Sequence, residues 1–237
     1  MNKNSNTYII VYSVVMVVIV AVLLSVTAMS LQGRQNENRL NEKKQAILAS
    51  LSAGDRNFDE YIDAYAVDAE GRRLESADVF ALTEDLKGAF AAGTYPVFEA
   101  EDGRVVVPVT GNGLWGPIWG YVALESDMNT LAGVVFDHDG ETPGLGAEIA
   151  TPKHQAMYRG KQIFEGDEFV SVRLRKGGAV DKAHEVDAIS GGTKTSDGVT
   201  AMLKNSLGNY LPFFAGKRAA AEAPDCCCCE ENAESNE

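Results

Sequence analysis

From Asn4 to Gly33 the chain carries no charged side chain, and Tyr8 to Leu31 within that stretch is almost wholly apolar. A helix rises about 1.5 Å per residue and the hydrocarbon core of a bilayer is about 30 Å thick, so about 20 such residues suffice to cross it. The competing reading is a cleaved signal peptide, with Lys3 as a weak basic start and Val26-Thr27-Ala28 as a small-residue cleavage site. A signal core runs about 7–15 residues, and this run is longer, so a retained anchor is expected. With this segment and a polar tail removed from the 237 residues, one domain of ordinary size remains. Arg34, Arg39, Lys43 and Lys44 follow the run while Lys3 alone precedes it, which leans toward a cytoplasmic domain.

The expected division is an N-terminal stub (1–7), a transmembrane helix (8–31), a stalk helix and linker (32–55), a domain (56–216) and a disordered tail (217–237). A domain of that length buries a core of its own. The net charge of -13 excludes nucleic acid as a partner, because phosphate binding needs Lys and Arg. All four cysteines are adjacent, Cys226 to Cys229, so there is neither a disulfide framework nor a pair at zinc-ligand spacing. Contiguous ligands wrap poorly around one tetrahedral ion, and no metal site is expected.

The stalk helix is read over Gln35–Leu51, with Leu40, Ile47, Leu48 and Leu51 on one face and a stop near Gly54. The segments Phe58–Val67 and around Val79 fit either helix or strand. Pro96–Ala100 and Arg104–Val109 flank Asp102-Gly103 and predict a hairpin. Ile118–Leu124, Leu131–Phe136 and Glu168–Arg175 predict further strands, and a short helix runs toward Tyr158. Asp197–Phe214 predicts a helix with Val199, Met202, Leu203, Leu207 and Leu211 on its apolar face. The fold class is α+β: one transmembrane helix, then a mixed, mainly antiparallel sheet with packed helices.

Three segments remain for chemistry. Gly111-Asn112-Gly113-Leu114-Trp115-Gly116 matches G-x-G-x-x-G, but Pro117–Tyr121 continues as strand where a Rossmann turn requires a helix. It reads as a glycine turn between strands with tryptophans in the core, or with Leu114 and Trp115 lining a planar ligand. His138–Gly146 is a Gly/Pro loop in which Glu141 offers an acceptor and Thr142 a hydroxyl. Asp187–Val199 places Ser190, Gly191, Gly192, Thr193, Thr195 and Ser196 just before a helix. A helix N-terminus favours phosphate, and the simpler role for Thr195, Ser196 or Asp197 is capping.

Together these segments resemble the C-subunit family of sodium-translocating NADH:quinone reductases, over most of the chain. That family's flavin-attachment signature is Asp, two residues, Ser or Thr, Gly, Ala, Thr; here it reads Asp187-Ala188-Ile189-Ser190-Gly191-Gly192-Thr193, with Gly192 in place of Ala. The G-subunit of the related electron-transport complex shares the third segment and Glu141-Thr142-Pro143-Gly144-Leu145-Gly146, whereas Gly113-Leu114-Trp115 looks more like the C-subunit. The resemblance implies FMN covalently bound through its phosphate to Thr193, placed there by a flavin transferase that uses FAD and magnesium. It implies a cofactor site of Thr193, Ser190, Gly191, Gly192, Thr195, Gly113, Leu114, Trp115, Glu141, Thr142, Gly144 and Leu145, with Glu141, Thr142, Gly144 and Leu145 lining the pocket. The flavin is the only reactive group implied. The implied setting is a single-pass protein of the bacterial inner membrane, with its domain periplasmic, against the lean of the charges. Its partners are lipid and the other subunits of a sodium-pumping complex, where NADH and ubiquinone bind. Two other classes remain open: a flavin-free membrane-anchored scaffold, and an enzyme using His138 and Glu141 as an acid/base pair.

Overall fold

The computed structural model describes residues 6–74 and 77–222. Cys226–Cys229 lie outside them. The chain divides into two compact units, Met1–Gln45 and Ala46–Glu237.

The first unit holds most of helix α1 (Asn6–Ser50). No break separates the apolar run from the expected stalk. Gln32–Lys44 has no proline and consists largely of Gln, Asn, Glu, Arg and Lys, so nothing there stops a helix, and Gly33 alone weakens it by about 1 kcal/mol. The large apolar side chains between Ile9 and Leu31 are exposed. By length and hydropathy the helix is able to cross a membrane.

The helix stops ahead of Gly54. Ser52 takes the left-handed conformation (φ 56°). Its N–H donates to Ala49 O (3.0 Å), and Ala53 N–H donates to Leu48 O (2.9 Å). This is a Schellman closure with serine where glycine is usual. The last turn buries Ile47, Leu48 and Leu51 in the second unit.

That unit continues with α2 (Phe58–Tyr61), β1 (Ile62–Val67), β2 (Arg73–Leu74), α3 (Val79–Glu84) and α4 (Leu86–Ala91). Four strands follow: β3 (Tyr95–Ala100), β4 (Val105–Asn112), β5 (Pro117–Leu124) and β6 (Leu131–His138). They form one six-stranded sheet in the order β2-β1-β3-β4-β5-β6, antiparallel throughout. The expected hairpin is β3–β4, with Gly103 at φ 82° in its turn. Side chains alternate across a strand, and both faces are covered. Ile62, Phe98, Val106, Tyr121 and Ala132 pack with Ile47, Leu48, Leu51, Phe58 and Val79 on one side. Val97, Val107, Ile118, Val122 and Phe136 pack on the other with Val199, Met202, Leu203 and Leu207.

After β6 come a 3-10 turn (Gly146–Ala150), α5 (Pro152–Gln155) and two short hairpin strands, β7 (Phe164–Glu165) and β8 (Glu168–Phe169). A parallel pair follows, β9 (Arg173–Arg175) with β10 (Glu185–Asp187). The single strand expected over Glu168–Arg175 is therefore two, separated by Ser171 at φ 60°, a backbone that ends any ladder. The expected helix over Asp197–Phe214 is also two: α6 (Thr193–Gly208) and α7 (Leu211–Glu222). Pro212 has no N–H and its ring crowds the carbonyl four residues back, so α6 cannot run through it. Tyr210, buried at the break, donates to Pro96 O (3.0 Å) and ties the junction to β3.

Candidate functional site

The hairpin between β4 and β5 closes through Gly113 N–H to Gly116 O (2.8 Å). It is a glycine turn between strands, as its sequence predicts, but its tryptophan does not enter the core. Trp115 is 69% exposed and Leu114 53%; Trp119, on β5, is 39% exposed. The inner side of the turn is already filled: a methyl on Gly113 would collide with the Glu141 carboxylate and crowd Ile118 Cγ2 (3.1 Å), and one on Gly116 would collide with Asp139 O. Leu114 and Trp115 are left facing outward.

The loop after β6 passes under this turn. Gly140 and Gly144 sit at φ 91° and 75°, and Leu145 and Ala147 both donate to Thr142 O (3.1 and 3.2 Å). Thr142 and Gly144 are exposed, and Leu145 is exposed on the outer side. The third segment leaves β10 through a turn in which Gly192 N–H donates to Ile189 O (3.0 Å) and Gly191 holds φ 75°. Leu145 lies against that glycine, since a methyl there would sit 2.6 Å from Leu145 Cδ2.

Helix α6 then begins at Thr193, earlier than expected, because the hydroxyl residues read as caps lie inside its first turn. Its N-cap is Gly192, with no side-chain cap hydrogen bond. Thr195 donates instead to Glu141 Oε2 (2.7 Å), and Ser196 Oγ accepts from Ile189 N–H (3.1 Å). The first-turn amides therefore have no side-chain acceptor within the motif; Thr193 carries the first of them and Ser190 lies three residues before it in sequence. Uncapped N–H groups with the helix dipole behind them form an anion site. Where the family signature carries Ala, a methyl on Gly192 would meet Ile189 Cγ2 at 2.9 Å, so the Ile189 side chain occupies that space here.

Glu141 joins the three segments. It is 4% exposed; Oε1 accepts from Trp115 N–H (2.9 Å) and Oε2 from Thr195. It lies beneath the surface that the sequence expects it to line. Burial pushes its pKa up, but the Trp115 amide, the Thr195 hydroxyl and the Leu114 amide outweigh burial and hold it below the ordinary carboxylate value. Gly146 admits the carboxylate: a methyl there would collide with Oε2 and sit 2.6 Å from Thr195 Oγ1. Gly198 lets α6 approach the Asn112 carbonyl in the same way, and Gly111 on β4 makes room for Met202 of α6, since a methyl there would sit 2.7 Å from Met202 Cβ. Sequence reasoning missed Gly146 and Gly198 as close-approach positions; glycine in a motif and glycine inside an apolar helix face were the available signals.

The expected site residues thus all fall in three contiguous segments fastened by one carboxylate. His138 does not join Glu141 through a hydrogen bond: both carboxylate oxygens have other donors, and His138 Nδ1 is buried without a hydrogen-bond partner. No hydrogen bond joins the two as an acid/base pair. Among the described residues no cluster of His, Cys, Asp and Glu suits a metal ion.

Residues 113–208, which begin in the glycine turn and end with α6, match the model of the FMN-binding domain. The C-subunit of the Na(+)-translocating NADH-quinone reductase of Pseudomonas aeruginosa is 31% identical, over 91% of this chain and 94% of its own. The chain belongs to the C-subunit family of Na(+)-translocating NADH-quinone reductases. The C-subunit of Neisseria meningitidis (serogroup A) is also 31% identical, over 91% and 95%. The crystal structure of the C-subunit from Parabacteroides distasonis is 42% identical, with a TM-score of 0.71 over 78% of this chain and 96% of that one. Shewanella oneidensis NqrC is 30% identical, with a TM-score of 0.66 over 76% and 97%. Between the C- and G-subunit readings the comparisons favour the first, an oxidoreductase component with an FMN-binding domain, and the α+β class read from the sequence stands.

Proposed function

We propose that this chain is the membrane-anchored electron carrier of a sodium-pumping NADH:quinone reductase, and that it carries FMN in phosphoester linkage to Thr193. The observation that supports this reading most is a threonine at an uncapped helix N-terminus whose first turn shares Glu141 with the turn that bears the exposed Leu114 and Trp115, with Leu145 against Gly191. The first asks for a phosphate. The second asks for a planar, partly apolar group.

In attachment, Thr193 Oγ bonds to the flavin-side phosphorus of FAD, the pyrophosphate bond breaks, AMP leaves, and the hydroxyl proton passes to solvent. A flavin transferase with magnesium supplies the donor. The first-turn amides of α6 would hold the phosphate, and Ser190, Gly191 and Gly192 shape the turn that carries Thr193. Thr142, exposed in the neighbouring loop, would donate a hydrogen bond to the ring. When bound, FMN supplies the one- and two-electron chemistry, while the chain supplies binding, orientation and electrostatics. NADH and ubiquinone bind on other subunits, and no residue here acts as acid, base or nucleophile toward them. The apolar part of α1 anchors the chain in the bacterial inner membrane, with the domain on the periplasmic side.

The test is the intact mass of the chain after co-expression with a flavin transferase, beside Thr193→Val. A gain of one FMN less one water, absent from the variant, is the expected result. No gain in either, with the transferase active on a control protein, rejects the covalent flavoprotein and leaves a flavin-free scaffold.

A further inference from the structure

Glu141 is almost wholly buried, yet it is bonded to the segments that carry the exposed site residues. Its Oε1 receives the Trp115 amide at 2.9 Å and its Oε2 receives the Thr195 hydroxyl at 2.7 Å, two residues past Thr193. Gly113 and Gly146 leave the room in which the carboxylate sits, and a methyl on either would collide with it. The residue is 4% exposed, and the donors that hold it among the described residues are backbone amides of Trp115 and Leu114 and the Thr195 hydroxyl, not a Lys or Arg. A carboxylate held by oriented N–H and O–H groups stays ionised in a site of low dielectric, and its field reaches further there than in water.

We propose that Glu141 is a positioning residue that fastens the Leu114–Trp115 turn to the first turn of α6 and lowers the reduction potential of the flavin bound there. The potential half of this inference rests on the flavoprotein reading; the fastening half does not. A fixed negative charge near the flavin opposes the arrival of an electron, so its removal raises the potential. Glutamine separates the two roles. Its Oε1 still accepts from the Trp115 amide and its Nε2 donates to Thr195 Oγ1, so geometry is kept while charge is lost. Alanine removes both and orphans the donors that the carboxylate held.

The experiment uses the full chain, wild type, Glu141→Gln, Glu141→Ala and Thr195→Val, each co-expressed with a flavin transferase. Intact mass reports FMN, spectroelectrochemical titration reports the midpoint potential, and amide hydrogen exchange is read at residues 113–116. Glu141→Gln is expected to keep exchange protection near wild type and to shift the potential upward; Glu141→Ala is expected to lose the protection. An unmoved potential in flavin-loaded Glu141→Gln, or equal protection in Glu141→Ala and wild type, overturns the proposal. Should Glu141→Gln take up no FMN where wild type does, Thr195→Val decides. It leaves the charge with one donor fewer and is expected to shift the potential downward, and no shift or an upward one overturns the proposal. A wild-type chain without FMN is the failure of the flavoprotein reading instead; it overturns the potential half with it, and exchange in Glu141→Ala still decides the fastening.

Discussion

Glu185 shows what a single buried carboxylate does for a loop. It is 1% exposed on β10, and its Oε2 accepts from Val180 N–H (2.8 Å) and Asp181 N–H (3.0 Å). Its Oε1 accepts from Arg173 Nε (3.1 Å) and Arg175 Nη1 (3.0 Å). The two amides, more than the half-exposed Arg175, hold its pKa down to about 2, against the opposing pull of burial. Because the folded value lies below that of the unfolded chain, the contribution is full above about pH 4.5 and is lost as pH falls toward about 2. Glu185→Gln is expected to unfold at lower urea than wild type at pH 7, and the gap is expected to narrow as the pH drops from about 4.5 to about 3. Urea midpoints of both chains across that range check it, and a gap independent of pH refutes the assignment. Nothing in the sequence pattern singles out Glu185, since a glutamate at a strand position reads as a solvent-facing residue and its amide partners cannot be inferred from spacing. Glu141 is legible only because it stands in a glycine loop, and its burial is not.

Among the elements, those set by local chemistry are legible in the sequence. β3 and β4 follow from the apolar runs on either side of Asp102-Gly103, and β5 and β6 from short apolar runs of their own. Of the expectations that fail, the strand over Glu168–Arg175 is interrupted at Ser171 in the left-handed region, the helix over Asp197–Phe214 is broken ahead of Pro212, and the hydroxyls that the pattern treats as caps lie inside α6. The junction of α1 with the sheet shows the same limit. Gly133 in the middle of β6 reads as a weak strand residue, yet a methyl there would collide with the Ser50 carbonyl oxygen at the end of α1. Backbone faces backbone, so no side chain is free to turn away. Gly133→Ala is expected to cost about 1–3 kcal/mol, as overpacking does. Gly54→Ala, where nothing lies within 4 Å and φ is ordinary, is expected to change stability by less than about 0.5 kcal/mol. Equilibrium unfolding of both variants separates the two, and equal effects reject tight packing at Gly133.

At the scale of the whole molecule, local signals cannot give the pairing of β1 with β3 across two helices, or the part that the end of α1 takes in a core the stalk is expected only to support. Ile47, Leu48 and Leu51 are 0%, 0% and 2% exposed and pack with Phe58, Phe98 and Tyr121 on one face of the sheet. Burying each stabilises the fold by about 1.5–3 kcal/mol. A domain is stable by only about 5–15 kcal/mol in total, so these three decide whether the second unit folds. A chain beginning at Lys43 keeps them and omits the apolar run, and it is expected to be soluble and to unfold in one cooperative transition. A chain beginning at Ser52 lacks them, uncovers Phe98 and Val106, and is expected to lose most of its stability or to aggregate. Thermal unfolding of the two chains, followed by near-ultraviolet circular dichroism, reads the difference. Equal midpoints would mean that the end of α1 is a tether rather than a part of the domain. A lower midpoint for the shorter chain would mean that one continuous helix supplies both the apolar run and a piece of the domain's core, so that the domain boundary lies inside α1 and not at the end of it.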